Sequence, residues 1–171
     1  MRRNGSNPAR TAACGLGLLI AWPLACSAQV SGCDDLSAEP VQYTVSYSAI
    51  QSIFSTNCVS CHATYVNCDP DQGANNPPAG LDLCPGVSWS NLVDQPSSQD
   101  ATYTRVVPNE PQNSLLFHKV NCAVPEIGSR MPYGGPYLTS YEQALITDWI
   151  AGGAPIGTTD GIFRSGFETR D

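Results

Sequence analysis

Basic charge is scarce in this chain. One lysine (Lys119) and seven arginines face fifteen acidic residues, giving a formal net charge of −7 at pH 7. Such a balance repels a phosphate backbone and sets nucleic acid aside as a partner. Long apolar runs are also missing. The best candidate, Ala12–Ala25, is short and broken by glycines and Pro23, so it falls below the length of a membrane-spanning helix. Histidine is limited to two positions, His62 and His118, and there is no second C-x-x-C and no H-x-x-x-H. A four-ligand structural zinc site, which draws on paired clusters, is therefore not indicated. Internal repeats and low-complexity runs are absent as well.

Prolines (14), glycines (15) and cysteines (8) are plentiful among the 171 residues. The first two imply much loop and few, short regular elements. At 42% hydrophobic residues the chain still suits a globular domain. Residues 1–28 resemble an export signal, with Arg2, Arg3 and Arg10 ahead of the apolar stretch. Cleavage after Ala28 leaves small residues at the preferred positions. Alternatively, Val30-Ser31-Gly32-Cys33 resembles a bacterial lipobox, which would end the signal at residue 32 and anchor the protein through a lipid on Cys33. Either route places the protein in the periplasm or cell envelope. Without residues 1–28 it keeps five basic against fifteen acidic residues, a formal charge of −10. The expected layout is a linker at 29–44, one domain at 45–156 and a tail at 157–171.

Cys58-Val59-Ser60-Cys61-His62 fits C-x-x-C-H, the attachment motif for c-type haem. Two thiols add across the vinyl groups to form thioethers, and the following imidazole becomes an iron ligand. A thioredoxin-like dithiol would sit between a strand and a helix, whereas this motif follows a helical pattern. Cysteines so close in sequence also rarely bridge each other. For the sixth iron ligand the exported chain offers Met131, His118 and Lys119. Met131 lies in Arg130-Met131-Pro132-Tyr133-Gly134-Gly135-Pro136, an irregular loop that can press a thioether onto iron. His118, beside Lys119 on a helix, reads as an exposed histidine, with bis-histidine ligation as the rival. Met131 is the expected ligand. Arg105 and Arg130 are the positive groups expected near the haem propionates.

Short helices flank these residues. Ile50, Ile53 and Phe54 share one face over Val45–Phe54. Asn109 is placed to cap a helix started by Pro111 and carrying Leu115, Leu116 and Val120. Thr139 and Glu142 form a capping box for a helix with Tyr141, Leu145, Ile146, Trp149 and Ile150 on one broad face, ending at Gly152-Gly153. Residues 67–80 and 93–101 read as turn-rich loops. Apart from the haem motif, Cys33, Cys68, Cys84 and Cys122 allow three disulfide pairings. A local pair involving Cys68 or Cys84, such as the two together, is expected. Lipidation of Cys33 would leave an odd count.

With Cys58, Cys61, His62 and Met131 in place, residues 45–156 resemble the cytochrome c-like domains of exported bacterial proteins, class I c-type cytochromes with His/Met ligation. The stretches carrying the likeness include "IFSTNCVSCH", "RVVPNEPQNSLLFHKV", "RMPYGGPYLT" and "LITDWIAGGAP". The resemblance implies an all-α fold, small helices around one covalently bound haem c with long Pro/Gly-rich loops. It implies an iron ligated by His62 and Met131 and a monomer that carries single electrons between redox protein partners, without being an enzyme. Alternatives are a peroxidase or gas-sensing haem with a labile sixth ligand, or an accessory module of a larger surface assembly. The tail segment Gly161–Glu168 weakly resembles a sorting or docking peptide.

Overall fold

Ser46 opens the first helix. Its hydroxyl accepts the Ala49 N–H at 3.3 Å, satisfying a donor that a helix start leaves free. Helix α1, Tyr47–Asn57, buries Ile50, Ile53 and Phe54. The structure is a computed structural model that describes residues 32–157. The signal segment 1–28 and the tail from residue 158 onward lie outside the described residues.

Three more α-helices follow: α2, Ser88–Leu92; α3, Leu115–Asn121; and α4, Ser140–Ala151. Thr139 and Glu142 form the expected capping box, with the Thr139 N–H donating to the Glu142 carboxylate at 2.9 Å. Helix α4 packs on both α1 and α3. Its Ile146, Trp149 and Ile150 are essentially sealed from water, and the Tyr47 and Trp149 rings lie 5.5 Å apart. Beyond α4 the chain turns at Gly153, whose φ of +91° suits glycine. The indole N–H groups of Trp149 and Trp89 then donate to the carbonyls of Pro155 and Ala154, at 3.0 and 2.8 Å, and clip this end onto the core.

The expected all-α cytochrome c fold is not what the structure shows. Helix accounts for about 37% of the described residues, 3-10 turns included, and the rest of them is mostly loop with isolated β-bridges. The physical reason lies in the prolines. Pro70, Pro78 and Pro111 each start a three-residue 3-10 turn rather than a helix, because each ring fixes φ and the next residues turn back at once. The helix expected from Pro111 therefore splits. Ser114 is extended between the 3-10 turn and α3, its hydroxyl accepting from the Val107 N–H and donating to the Glu110 carbonyl, both at 2.9 Å. Asn109 is not the cap. It takes a left-handed conformation (φ +67°) and its N–H donates to the Ile150 carbonyl at 2.8 Å, joining this loop to α4. Tyr141 also leaves the expected face and stands 49% exposed; Gln143 and Ala144 are buried instead.

Two disulfides tie the loops. Cys68 pairs with Cys84, the local pair anticipated, and Cys33 pairs with Cys122 across 89 residues. Among the described residues no helix is long and apolar enough to cross a membrane.

Candidate functional site

The C-x-x-C-H segment forms a tight turn on the end of α1. Cys58 N–H still donates to the Phe54 carbonyl at 2.8 Å, and the Cys58 carbonyl accepts from Cys61 and His62 at 3.1 and 2.8 Å. These bonds direct Cys58 and His62 toward the interior and leave Cys61 exposed. Burial, reinforced by the negative charges of Glu142 and Cys61, pushes the Cys58 thiol up to about 12. It is thus a thiol at neutral pH, which is unlike the low-pKa thiolate of a redox-active dithiol.

His62 has one ring nitrogen occupied. Its Nδ1 lies 3.3 Å from the Leu81 carbonyl oxygen, which can only accept, so Nδ1 carries the hydrogen and Nε2 keeps a lone pair. This is the arrangement that orients an imidazole as a metal ligand. Burial lowers the His62 pKa, favouring the neutral ring. The Leu83 N–H donates to the His62 carbonyl at 2.8 Å, so the last residues of the Cys68–Cys84 loop are fixed to the motif at two points.

Cys58 and His62 open onto a cavity of about 140 Å³. Phe54, Leu81, Leu83, Leu92, Leu138 and Ile146 supply apolar walls. Met131 lines the same cavity, held there because its N–H donates to the Lys119 carbonyl at 2.7 Å. Polar groups are few: Ser97, Gln99, Arg105 and Lys119. Arg105 donates to the carbonyls of Asn91 and Ala79 and to the Ser98 hydroxyl, at 2.7, 3.3 and 3.3 Å. The cavity therefore gathers Cys58, His62, Met131 and Arg105, while Cys61 stays outside its wall.

Two expectations change. Arg130 does not line the cavity: it pairs with Asp34 and lies over the Tyr137 ring, 4.5 Å from its centroid. His118 is not an exposed histidine. It is buried, its Nε2 2.7 Å from the Gln112 carbonyl and its Nδ1 3.6 Å from Cys122 Sγ. Lys119, the next residue on α3, faces the cavity, so a bis-histidine pair would require the helix to rotate by about 100°. His118, Cys33 and Cys122 do bring ligand atoms within 4.8 Å of one another, a grouping that could hold a metal. With Cys33 and Cys122 joined as a disulfide, however, the sulfurs are not thiolates. Sequence spacing could not reveal this group, because its members lie 89 residues apart. The burial of Lys119 was equally hidden, since a lysine on a short helix is ordinarily solvated.

Set against known proteins, the chain matches no protein-family model, no curated protein and no solved structure.

Proposed function

We propose that the protein is a monohaem c-type electron carrier of the periplasm or cell envelope. The observation that carries this reading is the placement of Cys58, His62 and Met131 on one apolar cavity, with the His62 Nδ1 hydrogen engaged by the Leu81 carbonyl. The residues suit a haem in three respects. The cavity is predominantly apolar with a few polar groups converging on it, the make-up of a cofactor site. A nitrogen lone pair and a thioether are both available to iron. The few charged groups in the wall are cationic, matching the acid groups of a porphyrin.

In this reading Cys58 and Cys61 would hold the haem through thioethers, each S–H supplying both the sulfur and the hydrogen added to a vinyl group, so no oxidant would be needed. His62 Nε2 and Met131 Sδ would be the ligands that hold the iron. A bound haem supplies a one-electron Fe(III)/Fe(II) couple. The leucine-rich wall excludes water, and low dielectric with a thioether ligand favours the reduced state. Arg105, held by Asn91, Ala79 and Ser98, sits at the wall as a fixed positive charge.

Export accords with the two disulfides, which persist in oxidising compartments. With its sulfur bonded to Cys122, Cys33 has none to carry a lipid, which favours cleavage ahead of it and a protein free of a lipid anchor. The test is expression with a c-type maturation system. Haem that resists acid–acetone extraction, with the far-red band of Met-ligated ferric iron, is the expected result. A chain that takes up no covalent haem overturns the reading; a high-spin ferric spectrum would move it to the peroxidase or gas-binding alternative.

A further inference from the structure

Lys119 is the chain's single lysine, and it is buried, 8% exposed, on α3. Its Nζ has no hydrogen-bond partner, and among the described residues no carboxylate comes within ion-pairing distance of it. The neighbouring cation behaves differently: Arg105 is hydrogen-bonded by chain carbonyls and a hydroxyl. An interior ammonium with nothing to bond is expensive, costing several kcal/mol once relaxation is allowed. A fold retains such a group where its partner arrives from outside the chain.

The surroundings show from which side it arrives. Gly128 has φ +66°, and a β-carbon there would stand 2.6 Å from Lys119 Nζ and 3.2 Å from Gln99 Nε2. A glycine suits this left-handed turn and leaves room for the loop to lie against the ammonium, which a β-carbon would push aside. Gly128 thus covers Nζ on one flank, Gln99 stands beside it, and Lys119 itself lines the cavity that holds Met131 and His62.

We propose that Lys119 receives a carboxylate of the cavity's occupant, and that Gly128 lets the loop seal this ion pair from water. Resting on the haem reading, the carboxylate is one propionate of the porphyrin. Lys119 is then the anchor on this side of the cavity, in place of Arg130, which Asp34 already engages.

The test uses the matured holoprotein, with haem carrying ¹³C at the propionate carboxyls through labelled 5-aminolevulinate. A crystal structure is expected to place a propionate oxygen within hydrogen-bond distance of Lys119 Nζ. In infrared spectra the labelled carboxylate stretch is expected to shift in Lys119→Met, with a smaller shift of the same sign in Gly128→Ala, whose new methyl displaces the ammonium. Covalent haem with Nζ unbonded to either propionate, or a stretch unchanged in Lys119→Met, overturns the assignment while leaving the haem reading intact. If Lys119→Met does not fold, the wild-type crystal structure and Gly128→Ala still decide it. Absence of covalent haem in the wild-type protein overturns both.

Discussion

The backbone N–H of Met131 donates to the carbonyl oxygen of Lys119 at 2.7 Å, so the methionine loop and helix α3 reach the cavity as one unit. The bond uses backbone atoms and survives a change of side chain. Met131→Ala is therefore expected to leave the loop path and the thioether attachment intact. It should abolish the far-red charge-transfer band and lower the midpoint potential. Since Met131 is only partly buried, the stability loss should fall below the ~2–5 kcal/mol of a fully buried methionine. Ferric-state absorbance and thermal melts check both parts; an unchanged band would reassign the sixth ligand.

Arg130 anchors this loop from the other side. It pairs with Asp34, contacts the Val120 carbonyl at 3.4 Å and covers Tyr137. The Arg130 hydrogen bond lowers the Asp34 pKa against the opposing effect of burial. A depressed carboxylate contributes stability that is present above its unfolded pKa, about 3.9, and lost as pH falls through the folded value. Asp34 remains substantially exposed, so solvent screening limits the pair to about 1 kcal/mol or less. Melting temperature should thus be lower for Asp34→Asn than for the wild type at pH 6–7, and the two should converge in acid below pH 4. A gap that stays constant down to low pH would show that the ion pair is not the cause.

Some of this organisation was legible in the sequence and some was not. The C-x-x-C-H motif, the Ile50/Ile53/Phe54 face and the Thr139–Glu142 box are local patterns, and each depends on neighbours within a turn or two. The all-α expectation failed because resemblance at scattered motifs says little about intervening prolines, which make 3-10 turns and loops here. The places of His118, Lys119 and Arg130 follow from long-range contacts: a disulfide to Cys33, a loop closing at Gly128, an ion pair to Asp34. Nothing in the spacing of these residues encodes such contacts. Polarity alone would have put all three in water.

The Cys68–Cys84 disulfide closes the loop that carries Leu81 and Leu83, the residues that hold His62 through its ring and its carbonyl. A loop of 16 residues gives about 3 kcal/mol by the chain-entropy account. Replacing both cysteines by serine should cost roughly that in denaturant unfolding. It should also loosen the Leu81 carbonyl from His62 Nδ1, broadening the His62 ring resonances. A double mutant as stable as the wild type would show that the 3-10 turns alone hold the loop.

Thiol reactivity before haem attachment separates the two motif cysteines. Cys61 is exposed, whereas burial pushes the Cys58 thiol up to about 12, with Glu142 a smaller contributor. At pH 8 a group of that pKa is thiolate about once in 10⁴ molecules, and alkylation proceeds through the thiolate. In the haem-free chain, iodoacetamide should therefore label Cys61 at least ~100-fold faster than Cys58. Glu142→Gln should narrow the gap only slightly, because burial is the larger cause. The amide oxygen of the glutamine can still accept from the Asn57 side chain, which donates to Glu142 at 3.3 Å, so the tie between the end of α1 and the start of α4 should persist. Peptide mass spectrometry over a labelling time course reads both rates. Equal labelling of the two thiols would mean that Cys58 is not seated in the cavity wall before the cofactor arrives.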